Sequence, residues 1–360
     1  MHSNNPLSRV IFLTIFTIIM LSIFALIVRR GSVAFWINIK FKTIVLVSIW
    51  MIAMMILGIA LSNFAWKSTE IIGTFLIRII YGTRIIGLLL IFRDIVSIWY
   101  KIPPTIISIL SLLLIWTWIY FGTTSKITKL NISNEQITSD YKIVFISDLH
   151  VQATQHTKYI QRIVNKIQKI NPDLILIWWD LMNVAKVSYV DAFLPFNQIE
   201  SPIYATLWNH DNMWNSGAIS SIFEKTKIIP LRNKSTTIDN IQIVWIDDKT
   251  YRKGRQLAEI LDESQIEPNK QFTILVSHQP QSLSKLDKYP IDLELAGHTH
   301  HGQFWPISRL IRFFNDYSYW EYNENWKIAF VSQWIGSRWA PIRLWTQSEI
   351  VVISLKSSKE

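Results

Sequence analysis

The stretch that decides the fold is Phe145-Ile146-Ser147-Asp148-Leu149-His150. It continues Tyr141-Lys142-Ile143-Val144, so a short apolar run ends in a carboxylate and an imidazole. Such a run predicts a buried strand, and ligands of α/β sheets bind just beyond the carboxyl ends of strands. Asp148 and His150 are two residues apart, so an extended backbone directs both side chains to one side. We therefore take them as candidate metal ligands.

Metal-capable side chains also follow four other predicted strands. The strands and their endings are Leu174 to Ile177 before Trp178-Trp179-Asp180, Ile203 to Leu207 before Trp208-Asn209-His210-Asp211, Phe272 to Val276 before Ser277-His278, and Leu293 to Ala296 before Gly297-His298-Thr299-His300. One such ending is coincidence, whereas five predict a single polar site at one edge of a sheet.

The candidate ligands all offer oxygen or nitrogen donors: Asp148, His150, Asp180, Asn209, His278, His298 and His300. This donor set suits Mn, Fe or Zn, and the chain has no Cys for thiolate sites. Seven ligands exceed the need of one ion, whereas two divalent ions about 3.5–4 Å apart would use them all and clamp a phosphoryl group. His210 is placed to give the leaving group a proton, and Asp211 to orient its imidazole.

The order of these motifs resembles the calcineurin-like metallophosphoesterase family, and the resemblance covers about Tyr141 to Leu355. It implies a four-layer αββα sandwich with the site at the carboxyl ends of the strands. It also implies two metal positions: one held by Asp148, His150, Asp180 and His300, the other by Asp180, Asn209, His278 and His298. Together with the apolar amino-terminal third, the motifs are most similar to the membrane-associated bacterial branch, related to UDP-2,3-diacylglucosamine pyrophosphohydrolases.

The first third of the chain predicts a membrane domain. Helices of about 20 apolar residues span a bilayer, and four runs approach that length: Val10 to Val28, Thr43 to Leu61, Ile71 to Phe92 and Thr105 to Tyr120. The predicted domains are thus residues 1–122 with four transmembrane helices, a connector at 123–140, and a catalytic domain at 141–360.

Loop charges predict the orientation of that membrane domain. Arg29, Arg30 and Lys40 lie in the first loop and Arg93 in the third, which the positive-inside rule places in the cytoplasm. The catalytic domain is then extracytoplasmic, at the cell membrane. The net charge of +10 does not form a basic stripe with exposed aromatic residues in the soluble part, so nucleic acid is not an expected partner.

Trp179 and Trp208 depart from the family pattern, which has Gly before Asp180 and before Asn209. The chain holds 17 Trp and 11 Gly, although an average Gly usage of about 7% predicts roughly 25. Some bacterial lineages read UGA as glycine, and translating such a gene with tryptophan would produce this pattern. The hypothesis extends to five further tryptophans: Trp245, Trp305, Trp334, Trp339 and Trp345.

The sequence therefore predicts a membrane-anchored hydrolase of a phosphoester or phosphoanhydride, acting on a lipid-linked substrate. Three alternatives stay open. They are a phosphodiesterase of soluble nucleotides, an inactive scaffold if Trp179 and Trp208 are genuine, and a regulator of a transporter-like helix bundle. The lack of paired intramembrane acids argues against the last.

Overall fold

We describe the protein from a computed structural model of the full chain. The structure describes residues 104–152, 156–178, 180–182, 187–206, 209–231 (backbone alone for 209–216), 234–246, 255–267, 271–299, 301, 303, 308, 315–337, 343 and 345–358. The chain divides into two compact units between Trp118 and Ile119. Nearly all described residues belong to the second unit, and the first three apolar runs lie outside them.

Six strands form a mixed sheet, which we call the first sheet. In sequence order they are β1 Ser125–Asn134, β2 Tyr141–Ser147, β3 Leu174–Trp178, β4 Ile203–Thr206, β5 Ile228–Leu231 and β12 Ser348–Ser357. Their order across the sheet is β1-β12-β2-β3-β4-β5, and the run from β2 to β5 is parallel. Both predicted strands that precede Asp148 and Asp180 are therefore neighbours in one sheet.

The second sheet also has six strands. These are β6 Lys234–Ile238, β7 Ile241–Trp245, β8 Phe272–Ser277, β9 Leu293–Ala296, β10 Trp320–Glu324 and β11 Lys327–Val331. Their order is β10-β11-β9-β8-β7-β6, with β7, β8, β9 and β11 parallel. The strands that precede His278 and His298 are adjacent here, so their carboxyl ends share one edge.

The two sheets pack face to face between helices. Along β2, Ile143 and Phe145 point into the core between the sheets, whereas Val144 and Ile146 pack against helices, as the two-residue period of a strand requires. Helical segments cover the outer faces, and among the described residues they include a 3-10 helix at Leu283–Leu286 on the second sheet. On the first sheet they are α2 Thr157–Ile170, a 3-10 helix Val187–Gln198 and α3 Asn209–Lys225; on the second, α4 Leu257–Glu263. The expected four-layer sandwich is what the chain forms.

The segment predicted as a connector contributes a strand to the first sheet. Residues 125–134 form β1, which pairs in parallel with β12 along its whole length. Leu130 and Ile132 are buried between the sheets, while alternate residues face solvent. The spacing of these apolar residues is the reason that the segment joins the sheet instead of linking two domains.

The fourth apolar run forms α1, Pro104–Thr123. Among the helices that the structure describes, none meets the length and hydropathy expected of a membrane span. The prediction of four spans is therefore not supported for this run, and the other three runs fall outside the described residues.

Adjacent residues of β5 give a matched test of the core. Ile228 is 2% exposed and packs beneath the helices of the first sheet, whereas Ile229 is 43% exposed. We expect Ile228→Ala to lower the free energy of unfolding by about 2–5 kcal/mol, because it leaves a cavity. Ile229→Ala should lower it by about 0.5 kcal/mol or less. Urea denaturation of both variants measures the difference, and equal effects would contradict the packing described.

Candidate metal centre

Two loops at the carboxyl ends of β2 and β3 run side by side. The backbone N–H of Asp148 donates to the carbonyl of Trp178 at 2.8 Å, and that of His150 donates to the carbonyl of Asp180 at 2.7 Å. Asp148, His150 and Asp180 have positive φ values of 55°, 46° and 48°. The chain thus turns sharply at each of them, and the pairing of the loops brings the three side chains together.

Asp148, His150 and Asp180 form a buried cluster with the geometry of metal ligands. Each offers one ligand atom, and these atoms all lie within 4.8 Å of one another. The Nε2 atom of His150 lies 3.4 Å from Oδ2 of Asp180. One cation placed among them could contact all three.

A second pair of ligands comes from the second sheet. Nδ1 of His298 lies 2.7 Å from Nε2 of His278. Gly297, between β9 and His298, passes so close to the first cluster that a Cβ there would lie 2.6 Å from Oδ2 of Asp148. Only glycine allows this approach. The close approach joins the ligands of both sheets into one site.

A third loop, which contains Ile335 and Gly336, packs against the turn at Asp148. The N–H of Ile335 donates to the carbonyl of Ser147, and that of Gly336 to the carbonyl of Asp148. Arg343, whose side chain is fully buried, donates through Nη2 to the carbonyls of Trp334 and Gly336, at 3.3 Å and 2.7 Å. Sequence reasoning missed Arg343. The available signal was a single charged residue between Ile342 and Leu344.

Burial decides the electrostatics of this cluster. It raises the pKa of Asp148 well above the usual range, and the negative charge of Asp180 raises that pKa further, while Arg343 acts in the opposite direction. Burial also lowers the pKa of Arg343, to about 10. Both carboxylate oxygens of Asp148 are buried, and hydrogen bonds from the Ser147 side chain and the His298 backbone lower its pKa without outweighing the effect of burial. A divalent cation would satisfy these oxygens and offset the repulsion, so the residues present fit a bound metal.

Five of the seven predicted ligands lie at this edge: Asp148, His150, Asp180, His278 and His298. The backbone of Asn209, His210 and Asp211 begins α3, just after β4, but their side chains are not among those described. His300, Trp179 and Trp208 are also outside the described residues. The proposed roles of these six remain predictions.

Comparison with known proteins agrees with this geometry. The model of the calcineurin-like phosphoesterase family matches residues 141–302. Residues 141–302 are therefore similar to that family. The match begins at the first residue of β2 and ends just beyond the last predicted ligand, so it spans every motif that the sequence singled out.

Several curated proteins are similar to the chain. An uncharacterized metallophosphoesterase of Helicobacter pylori is 27% identical over 247 residues, which cover 67% of this chain and 66% of that protein. One of Aquifex aeolicus is 25% identical, over 64% of this chain and 92% of that protein. A "transmembrane protein with metallophosphoesterase domain" of Danio rerio is 28% identical, over 60% of this chain and 53% of that protein. The chain spans slightly less than two thirds of the length of the first of these relatives.

Asp148→Asn should have opposite effects with and without metal. The raised pKa means that the folded, metal-free protein holds the Asp148 proton more tightly than the unfolded chain does. Stability is then lost as the pH rises above the ordinary value of 3.8. Asparagine removes this loss, so without metal the variant should unfold at a higher temperature than the parent at pH 8, with little difference at pH 4.

The same variant should lose the effect of metal. Mn²⁺ at 100 times its dissociation constant should stabilise the parent by about 2.7 kcal/mol, and Asp148→Asn should gain almost nothing. Thermal unfolding with and without EDTA measures both effects, with the exposed Asp140→Asn as the matched control. A variant that is destabilised without metal at pH 8, or that keeps the response to Mn²⁺, would overturn the assignment.

Proposed function

We propose that the protein is a membrane-attached phosphoesterase that uses two divalent metal ions to hydrolyse a phosphoester or phosphoanhydride of a lipid-linked substrate. The observation that carries the proposal is the buried cluster of Asp148, His150 and Asp180 at adjacent strand ends. The similarity of residues 141–302 to the calcineurin-like phosphoesterase family supports the type of reaction. Two buried carboxylates without bound cations would repel each other, so the cluster is costly unless it serves as a metal site.

Each side chain has one role in this proposal. Asp148, His150 and Asp180 would hold the first ion, with His300 as the remaining ligand. His278 and His298 would hold the second ion together with Asn209, and the family resemblance makes Asp180 a ligand of this ion as well. The His278–His298 contact of 2.7 Å requires one ring proton between the two nitrogens. A cation would replace that proton.

The bound metals would supply Lewis-acid stabilisation of the charge that develops on the phosphoryl oxygens and activation of the attacking water. The protein orients the substrate and moves the other proton. His210 gives a proton to the leaving oxygen, and Asp211 holds the imidazole in the tautomer that makes this possible. The buried loops of the first sheet exclude bulk water from the ligand cluster, which strengthens each electrostatic contact there.

Attachment to the membrane rests on the apolar amino-terminal runs and on the names of relatives from Danio rerio and Bos taurus, which are called transmembrane proteins. Side chains of α1 also support it, because Ile109, Leu112 and Trp116 are more than half exposed. Exposed apolar side chains grouped on one helix favour a covering by lipid or protein. Anchoring would raise the local concentration of lipid-borne phosphates, and the resemblance to pyrophosphohydrolases of lipid precursors suggests their class.

Activity should depend on metal and on the histidine pair. We expect the full chain in lipid vesicles to hydrolyse bis-p-nitrophenyl phosphate with Mn²⁺ and to lose that activity in EDTA. His278→Ala should lower kcat/KM by about 100-fold or more, because losing a direct ligand should exceed the 10–100-fold effects of residues that only support ligands. His156→Ala, which removes an imidazole that contacts Thr157, Ser188 and Tyr189, is the matched control. Full activity of the His278 variant would contradict the proposed ligand set.

The substrate class needs a separate comparison. A diacylglycerol pyrophosphate embedded in vesicles and a soluble nucleotide diester are offered to the same enzyme. Preference for the vesicle substrate supports a lipid-linked natural substrate, whereas preference for the nucleotide identifies a soluble phosphodiesterase. No turnover of either, with no metal bound, would establish a scaffold.

A further inference from the structure

Tryptophan occupies backbone positions that the fold shapes for glycine. Among described residues other than glycine, φ lies between 46° and 78° at fourteen positions, and ten of them are Asp, Asn, His or Gln. The other four are Trp320, Trp326, Trp334 and Trp345. Bulky residues rarely adopt this left-handed conformation, because Cβ approaches the following carbonyl oxygen. We propose that the natural chain carries glycine at these four positions, and that at position 334 glycine keeps the metal centre open.

The hairpin between β10 and β11 gives the sharpest case. Glu324 pairs with Lys327, so the loop has two residues, Asn325 and Trp326. Both have positive φ, at 46° and 65°. A two-residue turn with positive φ at both residues is type I′, whose preferred sequence is Asn-Gly. Position 326 is thus the glycine position of an Asn-Gly turn.

The indole of Trp326 gives no packing reason for its presence there. Its side chain is 89% exposed, and its one recorded ring neighbour is Nζ of Lys327 at 5.9 Å. An exposed side chain on a strained backbone carries the steric penalty without a compensating core contact. Trp345 also has a positive φ, 56°, and its side chain is 62% exposed.

Position 334 connects this pattern to the site. Trp334 has φ 74°, and its ring centroid lies 5.0 Å from that of His150. Its Nε1 would lie 3.2 Å from a Cβ on Gly297, the position where a Cβ would also meet Oδ2 of Asp148. The indole therefore fills space beside the ligand cluster. Glycine at 334 would keep the backbone turn and leave that space for the coordination sphere and the substrate.

The backbone angle φ separates the tryptophans for which the sequence suggested glycine into those that have a positive φ and those that do not. Trp334 and Trp345 have positive φ, and Trp320 and Trp326 join them although the motif comparison did not point to them. Trp245 has no positive φ; it is buried between the sheets and stacks on Trp178 at 5.6 Å. The backbone at 245 gives no reason for glycine. Trp179, Trp208, Trp305 and Trp339 lie outside the described residues.

The codons give a direct test that needs no activity. A UGA codon at 326 and 334, together with glycine-containing peptides in mass spectra of the protein isolated from its own cells, is the expected result. A UGG codon, or tryptophan-containing peptides at either position, would overturn the proposal. Neither readout depends on the phosphoesterase function, so failure of one can be told from failure of the other.

Variants of the full chain separate backbone strain from the bulk of the indole. Trp326→Gly should raise Tm by about 2–8 °C, since relief of a strain of this kind shifts a domain of this size by such an amount. Trp326→Ala is the matched control, because it removes the same indole but keeps a Cβ at positive φ. The alanine variant should gain clearly less. Equal Tm values for the two variants would contradict a requirement for glycine.

At position 334 the same pair of substitutions has a second readout, which rests on the proposed metal site. Trp334→Gly and Trp334→Ala both remove the indole, so both should bind Mn²⁺ more tightly than the parent, by about tenfold or more. Both variants lose a buried indole, which lowers Tm, but the glycine variant should have the higher Tm of the two, because it also relieves the positive φ. Unchanged Mn²⁺ affinity in both variants, measured by calorimetry, would overturn the part of the proposal that concerns the open site, while the Tm comparison still tests glycine at 334.

Discussion

The proximity of two buried carboxylates, Asp148 and Asp180, constrains the rest of the site. They follow neighbouring parallel strands, and three backbone hydrogen bonds between the segments that follow these strands hold them beside each other. Burial and mutual repulsion raise the free energy of this arrangement unless a positive charge lies between them. The surrounding features fit that requirement. His150 adds a neutral ligand, and the buried Arg343 adds one positive charge behind the loops.

The backbone of the two sheets positions the metal ligands. Parallel strands of each sheet end at the same edge, so the sheets themselves bring together ligands that are far apart in sequence. Gly297 joins the two edges because it lacks a Cβ, and the loop with Ile335 and Gly336 holds the turn at Asp148 through the main chain. A backbone scaffold of this kind fixes the ligands more tightly than flexible side chains could.

Local sequence patterns predicted the strands that carry ligands, since each is a short apolar run that ends in a polar residue, and the motif order predicted the sandwich. The alternation of apolar residues in 125–134 indicates a strand, but it could not show that this strand pairs with β12, which lies more than 200 residues later. The role of Arg343 could not be predicted for a similar reason. Its guanidinium donates to the carbonyls of residues 334 and 336, and these groups meet only in the folded chain. The unusual tryptophan count was visible in sequence, but only backbone angles show which positions need glycine.

One crystallographic measurement tests the central claim most directly. Crystals of the full chain soaked in Mn²⁺ should show an anomalous difference peak within about 2.0–2.3 Å of ligand atoms from Asp148, His150 and Asp180, with a second peak on the side of His278 and His298. Anomalous scattering identifies the ion without assuming any activity. The claim would be contradicted if Mn²⁺ bound elsewhere, or if the Asp148 carboxylate accepted hydrogen bonds from protein groups and no ion lay beside it.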